Sequence, residues 1–103
     1  MTKYRVIVSK NTFRMLDKHI IFLAKVSLKN AHFLHQTFVS KVKSLDNNPE
    51  RYPLWLPPFK LPKAYRKIVI KKHYLVLFYV ENNTVFVDYI LDCRMDNSNI
   101  ELI

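Results

Sequence analysis

The sequence predicts an α+β domain of order β-α-α-β-β-β, with a helical hairpin packed on one face of a mostly antiparallel four-stranded sheet. Between residues 13 and 45, apolar residues recur at three- and four-residue steps, as on the buried face of a helix. Residues 3–9 and the second half of the chain instead alternate, and are rich in the β-branched and aromatic side chains that favour strands. The pattern changes therefore separate one strand, two helices and three further strands.

The first half of the chain holds the first strand and both helices. In residues 3–9, one face is predicted to contain Tyr4, Val6 and Val8. The first helical stripe consists of Phe13, Leu16, Ile20, Leu23, Ala24 and Ser27. Its candidate N-caps are Ser9, Asn11 and Thr12. Asn30 breaks the pattern before a second stripe of Ala31, Leu34, Phe38, Val42 and Leu45, and this short break predicts an αα-hairpin.

The second half holds a proline-rich connection and three strands. All five prolines lie within residues 49–63, which predicts an ordered, irregular segment. Trp55 and Phe59 are expected to pin it to the rest of the domain. The predicted strands span about 65–70, 74–81 and 84–91.

Turn chemistry predicts how these strands pair. Asn82-Asn83 favours a two-residue primed turn, which would give a core face with the pairs Val80/Val85, Phe78/Val87, Val76/Tyr89 and Tyr74/Leu91. The opposite face would pair Tyr79/Phe86, Leu77/Asp88, Leu75/Ile90 and His73/Asp92. A three-residue loop over residues 71–73 pairs Ile70 with Tyr74, whereas a two-residue loop would place Lys67 on the core face at a high cost.

Composition restricts the class of protein. The 103 residues are predicted to form one domain, residues 1–103, with a net charge of +9. Residues 51–80 hold seven Lys or Arg and no Asp or Glu, so we expect a polyanionic partner, with an ordinary solvated face as the alternative. The single cysteine, Cys93, is typical of a reducing cytoplasm. No apolar run is long enough to span a membrane and no secretory signal is visible, so a cytoplasmic protein without a membrane partner is expected.

The order of elements and three short motifs resemble the RelE/ParE superfamily of bacterial type II toxins. The motifs are Tyr65-Arg66, then Tyr74-x-Val76-x-Phe78-x-Val80, then Val85-x-Val87-x-x-Ile90 closing on Arg94. The resemblance covers roughly residues 3–96 and implies a growth-inhibitory toxin held inactive by an acidic antitoxin. It leaves two targets open, ribosome-bound mRNA, which RelE-like members cleave, and DNA gyrase, which ParE-like members poison.

The resemblance also implies site residues. For RNA cleavage, Arg66 and Arg94, which match positions where the family tends to carry an arginine, would supply cations. From the residue chemistry alone, His73 is a candidate general base, and Lys63, Lys67, Lys71 and Lys72 are candidate nucleic-acid contacts. The structural alternatives are a strand-end structural role for Arg66, an ion pair with Asp92 or Asp96 for Arg94, and a structural or solvated side chain for His73. The catalytic set is incomplete, because Leu75 stands where RelE-like nucleases tend to carry an arginine. Their C-terminal tyrosine is also missing from residues 98–100.

The sheet face opposite the helices is the predicted antitoxin-binding surface. Its apolar members, which two helices on the other face would leave uncovered, are Leu75, Leu77, Tyr79, Phe86 and Ile90. No cofactor and no metal site are expected, since His32 and His35 share a helix face without a third ligand. The alternatives to a toxin are a non-catalytic nucleic-acid-binding module and an inactive toxin homologue acting as a binding protein.

Overall fold

The structure, a computed structural model, describes residues 3–94, and its element order confirms the predicted β-α-α-β-β-β arrangement. The strands are β1 (Arg5–Val8), β2 (Arg66–Ile70), β3 (Tyr74–Glu81) and β4 (Thr84–Asp92), and the helices are α1 (Lys10–Ala24) and α2 (Leu28–Lys43). Short 3₁₀ turns span Ser44–Asp46 and Pro49–Arg51. The sheet order is β1-β4-β3-β2, with β1 parallel to β4 and the other pairs antiparallel.

Helix α1 begins where its N-cap meets the sheet. Ser9 accepts a hydrogen bond from the Thr12 amide at 3.0 Å, and the buried Thr12 hydroxyl donates to the Val87 carbonyl at 3.0 Å. This anchor sets which side of α1 faces the sheet. The buried side therefore contains Thr12 and Leu16, and the prediction that Phe13 belongs to it is wrong, since Phe13 is 49% exposed.

Helix α2 begins earlier than predicted. Ser27 caps it by accepting a hydrogen bond from the Asn30 amide at 3.1 Å, so Asn30 lies in the first turn of α2 and does not break the helical pattern. The second stripe is confirmed, because Ala31, Leu34, Phe38 and Val42 are buried on α2 and Leu45 follows them into the core. Within residues 3–94, no helix combines the length and hydropathy needed to cross a membrane.

Both hairpin turns have the predicted lengths. Asn82 and Asn83 have φ angles of 51° and 61°, as a primed turn requires. In the preceding hairpin Ile70 pairs with Tyr74 across residues 71–73, which confirms the three-residue loop. Lys71 and Lys72 have φ angles of 50° and 61° there, a region in which a residue with a Cβ atom is strained.

A β-bulge at Asp88 changes the register of β4. Phe78 pairs with Val87, but Leu77 pairs with Tyr89, so Asp88 has no partner on β3. Beyond the bulge the predicted pairs Leu77/Asp88, Val76/Tyr89, Leu75/Ile90, Tyr74/Leu91 and His73/Asp92 are wrong. The observed pairs are Leu77/Tyr89, Val76/Ile90, Leu75/Leu91 and Tyr74/Asp92.

Contacts from both faces of the sheet hold this bulge. The Val87 carbonyl accepts from the Ser9 amide, just beyond β1, at 2.9 Å, and from the Thr12 hydroxyl on the helix side. On the other side the Tyr65 hydroxyl donates to Asp88 Oδ2 at 2.7 Å. Burial, and then this hydrogen bond, raise the pKa of Tyr65, so the phenol stays protonated and remains a donor.

The sheet is buried on both faces. Against the helices the core contains side chains such as Phe38, Val76 and Ile90. On the opposite face a second cluster contains Tyr65, Leu77, Tyr89 and Leu91, packed with Trp55 and Leu61 of the proline-rich segment. The expectation that this face is uncovered is therefore wrong at Leu77, which is fully buried. It also fails for Ile90, which the bulge turns toward the helices.

The strained turn at Lys72 generates a stability prediction. Lys72→Gly should raise the free energy of unfolding by about 1 kcal/mol, because glycine adopts φ = 61° without the Cβ clash. For a domain of this size that corresponds to a rise in Tm of roughly 4–8 °C, measured by calorimetry.

The matched control is Lys18→Gly, the same change in the interior of α1. It should lower the stability by about 1 kcal/mol. If both substitutions destabilise the protein equally, the left-handed conformation at Lys72 is contradicted.

Candidate functional site

Arg94 is fixed at the end of β4 by Asp92. Its Nε and Nη2 atoms donate to the two oxygens of that carboxylate at 3.1 and 3.0 Å, and its backbone amide donates to Asp92 Oδ1 at 2.9 Å. Nη2 also lies 3.3 Å from the Tyr74 hydroxyl. The two-pronged ion pair sets the direction of the guanidinium group.

Asp92 is 8% exposed and pairs with Tyr74 of the neighbouring strand β3. Burial acts to raise the pKa of this carboxyl group, but the hydrogen bonds and charge of Arg94, together with the charge of His19, outweigh burial, and the pKa is lowered. His19 approaches from α1, with Nε2 2.9 Å from the Ile90 carbonyl and its ring centroid 5.2 Å from that of Tyr74. Asp92 therefore stays ionised in a mostly apolar environment.

Arg94 and Tyr74 separate two clefts. The smaller has a volume of about 200 Å³. Its other lining residues are Leu23, Asn30, Phe33, Leu34, Ile70, Lys71 and His73. The larger cleft, about 550 Å³, is completed by Lys18, His19, Phe22 and Asp92. Together they place one directed cation among aromatic and aliphatic side chains, the composition of a surface that binds protein or an amphipathic ligand.

Two of the predicted site residues lie beside Arg94. His73 is exposed in the 71–73 loop and its carbonyl accepts a hydrogen bond from the Cys93 amide at 2.6 Å. The Lys71 ammonium lies 4.3 Å from the centroid of the Phe33 ring. The turn thus brings His73 and Lys71 to the small cleft.

Arg66 lies elsewhere. Its Nη1 donates to the Tyr52 carbonyl at 2.7 Å and its Nη2 lies 3.7 Å from Glu50. Arg66 pairs with Phe78, four residues along β3 from Tyr74, which corresponds to about 13 Å of strand. The predicted catalytic grouping of Arg66, Arg94 and His73 is therefore not assembled, and both arginines make the contacts that the structural alternative expects.

The four lysines predicted to contact nucleic acid fall into two groups. Lys63 lies 3.3 Å from Glu81 and 5.3 Å from the centroid of the Tyr79 ring. In the part of the chain that the structure describes, no carboxylate pairs with Lys67, Lys71 or Lys72. These three lysines lie on β2 and in the turn after it.

The predicted antitoxin-binding residues also divide. Leu75, Tyr79 and Phe86 are partly exposed, and the Tyr79 and Phe86 rings are stacked 5.0 Å apart. Leu77 and Ile90 are both 0% exposed, so neither side chain is available at the surface.

The helical side of the clefts was not predicted from the sequence. It is formed by Lys18, His19, Phe22, Asn30 and Phe33. The sequence did contain a signal for this surface, because Phe22 is a large apolar residue outside the apolar stripe of α1. In the structure its side chain is 62% exposed. His32 and His35 are exposed, and among residues 3–94 no cluster of three or more His, Cys, Asp or Glu side chains is arranged to hold a metal ion.

Neither a protein-family model nor a curated protein matches the sequence. A solved structure does match, a chain described as "Chromosomal ParDE TA system from P. aeruginosa", where TA denotes toxin–antitoxin. The TM-score is 0.67 at 15% sequence identity, and the alignment covers 89% of this chain and 98% of that chain. The fold is RelE/ParE-like. This confirms the fold that the sequence resemblance implied, and the RelE/ParE-like topology brings the end of β4 beside the helical hairpin.

The ion pair generates a prediction for pH dependence. Because the pKa of Asp92 is lowered in the folded state, its stabilising contribution is present above the unfolded pKa of about 3.9 and is lost as the pH falls through the folded value. In Arg94→Ala, burial is no longer outweighed by these bonds. The Asp92 pKa, measured by carbon NMR of the carboxyl group, should rise, and acid unfolding should begin at a higher pH.

Arg5→Ala is the control, since Arg5 is exposed on β1 and should leave the Asp92 pKa unchanged. An Asp92 pKa that is the same in Arg94→Ala and the parent protein would show that the ion pair does not control it.

Proposed function

We propose that the chain is the toxin of a type II toxin–antitoxin module, inhibits growth, and is neutralised by a cognate acidic antitoxin protein. The observation that carries this proposal is the fold match over 89% of the chain to a component of a toxin–antitoxin system. The net charge of +9 supports an acidic partner.

We further propose that the toxin acts by binding a protein target. RNA cleavage needs a base, cations and an acid around one phosphate. The β3 residues next to Arg66 and Arg94, which are Phe78 and Tyr74, are separated by about 13 Å along the strand, and each arginine is paired with a carboxylate. The clefts at Arg94 instead combine a cation with exposed apolar groups such as Phe22. DNA gyrase is the protein target that the resemblance to ParE-like toxins suggests.

One comparison tests this proposal. Expression of the chain should arrest growth, co-expression of an acidic protein encoded beside it should restore growth, and the purified chain should inhibit supercoiling by gyrase. Primer extension on cellular mRNA should reveal no new cleavage ends. New mRNA ends with unimpaired supercoiling would favour the ribosome-dependent nuclease instead. Tight salt-dependent binding to free nucleic acid without growth arrest would favour a non-catalytic binding module.

Phe22→Ser should weaken the toxin. Phe22 is 62% exposed and lines the larger cleft, so its replacement should leave the fold intact and remove an apolar anchor. The concentration needed for half-maximal gyrase inhibition should rise on the order of tenfold.

Phe13→Ser provides the matched control, because Phe13 is 49% exposed on the same helix and lies outside both clefts. Equal inhibition by Phe22→Ser and Phe13→Ser would remove the clefts from the target-binding surface.

A further inference from the structure

The outer edge of β2 is half covered. β2 is an edge strand in the order β1-β4-β3-β2. Residues 53–55 cover its first half like a short additional strand, since the Trp55 amide donates to the Tyr65 carbonyl at 2.9 Å and the Lys67 amide donates to the Pro53 carbonyl at 3.0 Å. The bridge between Leu54 and Arg66 lies between these two bonds.

The second half of the same edge is open. Because the Lys67 amide points away from β3 and strand groups repeat every second residue, the amide and carbonyl of Val69 also point outward. Among residues 3–94, no hydrogen bond from outside the β2–β3 pair reaches Val69. Its side chain is 50% exposed. An uncovered edge with a β-branched side chain is a site where another extended chain can pair.

The charges follow the same division. At the covered half of the edge, Arg66 is paired with Glu50. Along the open half, Lys67, Lys71 and Lys72 have no carboxylate partner within the described part of the chain. Within residues 3–94, the open edge therefore lacks both hydrogen-bond partners and counter-charges.

A second copy of this chain fits the open edge poorly. In an antiparallel pairing centred on Val69, Lys67 of one copy would lie opposite Lys71 of the other. Like charges that face each other across two strands are destabilising. Edge lysines are a common device against such self-pairing.

We propose that the open half of the β2 edge binds an acidic, extended segment of a partner protein by strand addition. Lys67 and Val69 share one face of β2, so the added strand should place an acidic residue beside Lys67 and an apolar residue beside Val69, two positions apart. The assignment of this segment to the antitoxin rests on the proposed function. The strand-addition site itself rests on the edge geometry and on the lysines that have no carboxylate partner among residues 3–94.

The test is an NMR titration of the full-length, nitrogen-labelled chain with the peptide acetyl-Glu-Thr-Val-Thr-Glu-amide. Shifts should concentrate at the amides of Lys67, Val69 and Lys71. The Lys-Thr-Val-Thr-Lys peptide, and the glutamate peptide N-methylated at valine, should bind at least about tenfold more weakly, because each removes one element of recognition.

Two pairs of variants locate the site. Val69→Pro removes an outward amide that is not used in the β2–β3 pairing, and should weaken binding, whereas Val69→Thr should preserve it. Lys67→Glu, Lys71→Glu and Lys72→Glu together should reverse the preference toward the lysine peptide. The same charge change at Lys10, Lys25 and Lys29, exposed on the helices and the turn between them, should not reverse it.

Equal binding of both peptides, shifts spread over the helices, or a self-association that broadens the same amides without a peptide effect would each overturn this site. The titration measures peptide binding and does not depend on whether the chain is toxic. A chain that binds the acidic peptide at β2 but does not arrest growth removes the toxin proposal alone. A chain that arrests growth but does not bind the acidic peptide at the β2 edge removes the strand-addition proposal alone.

Discussion

The extra residue at Asp88 determines which side chains of β4 face each way. It is held by hydrogen bonds to the Val87 carbonyl from the Ser9 amide, next to β1, and from Thr12 on the helix side, and by a bond from Tyr65 to the Asp88 carboxylate on the opposite face. Beyond it, Ile90 and Asp92 face the helices, while Tyr89 and Leu91 join the opposite cluster. Without the bulge, the carboxylate that orients Arg94 would face away from Tyr74 and His19.

The proline-rich segment covers the face of the sheet that the two helices do not contact. Trp55 and Leu61 pack against the cluster around Leu77, and the backbone of residues 53–55 covers the beginning of β2. Because Pro53 has no amide hydrogen, it contributes only its carbonyl to that edge. The same segment thus completes the second core and leaves the end of the β2 edge open.

Much of the fold could be predicted because local chemistry allowed few alternatives. The asparagine pair specified the β3–β4 turn, and the cost of placing Lys67 in the core specified the three-residue turn before β3. The bulge could not be found in the same way, since apolar residues occupy both faces of residues 85–91 and either register buries apolar groups. At the candidate site, the sequence motif that ends in Arg94 correctly placed this arginine at the end of the last strand. The separation of Arg66 and the helical lining that includes Phe22 depend on packing between elements distant in sequence.

Nuclear Overhauser effects between strand α-protons distinguish the β4 register shifted at Asp88 from the unshifted register. Residues of β3 that bond to β2 form the close pairs with β4, in which α-protons approach one another. With the bulge in place, we expect a strong effect between the α-protons of Val76 and Ile90, and another between those of Tyr74 and Asp92. A strong effect between Val76 and Tyr89, with none to Ile90, would contradict it.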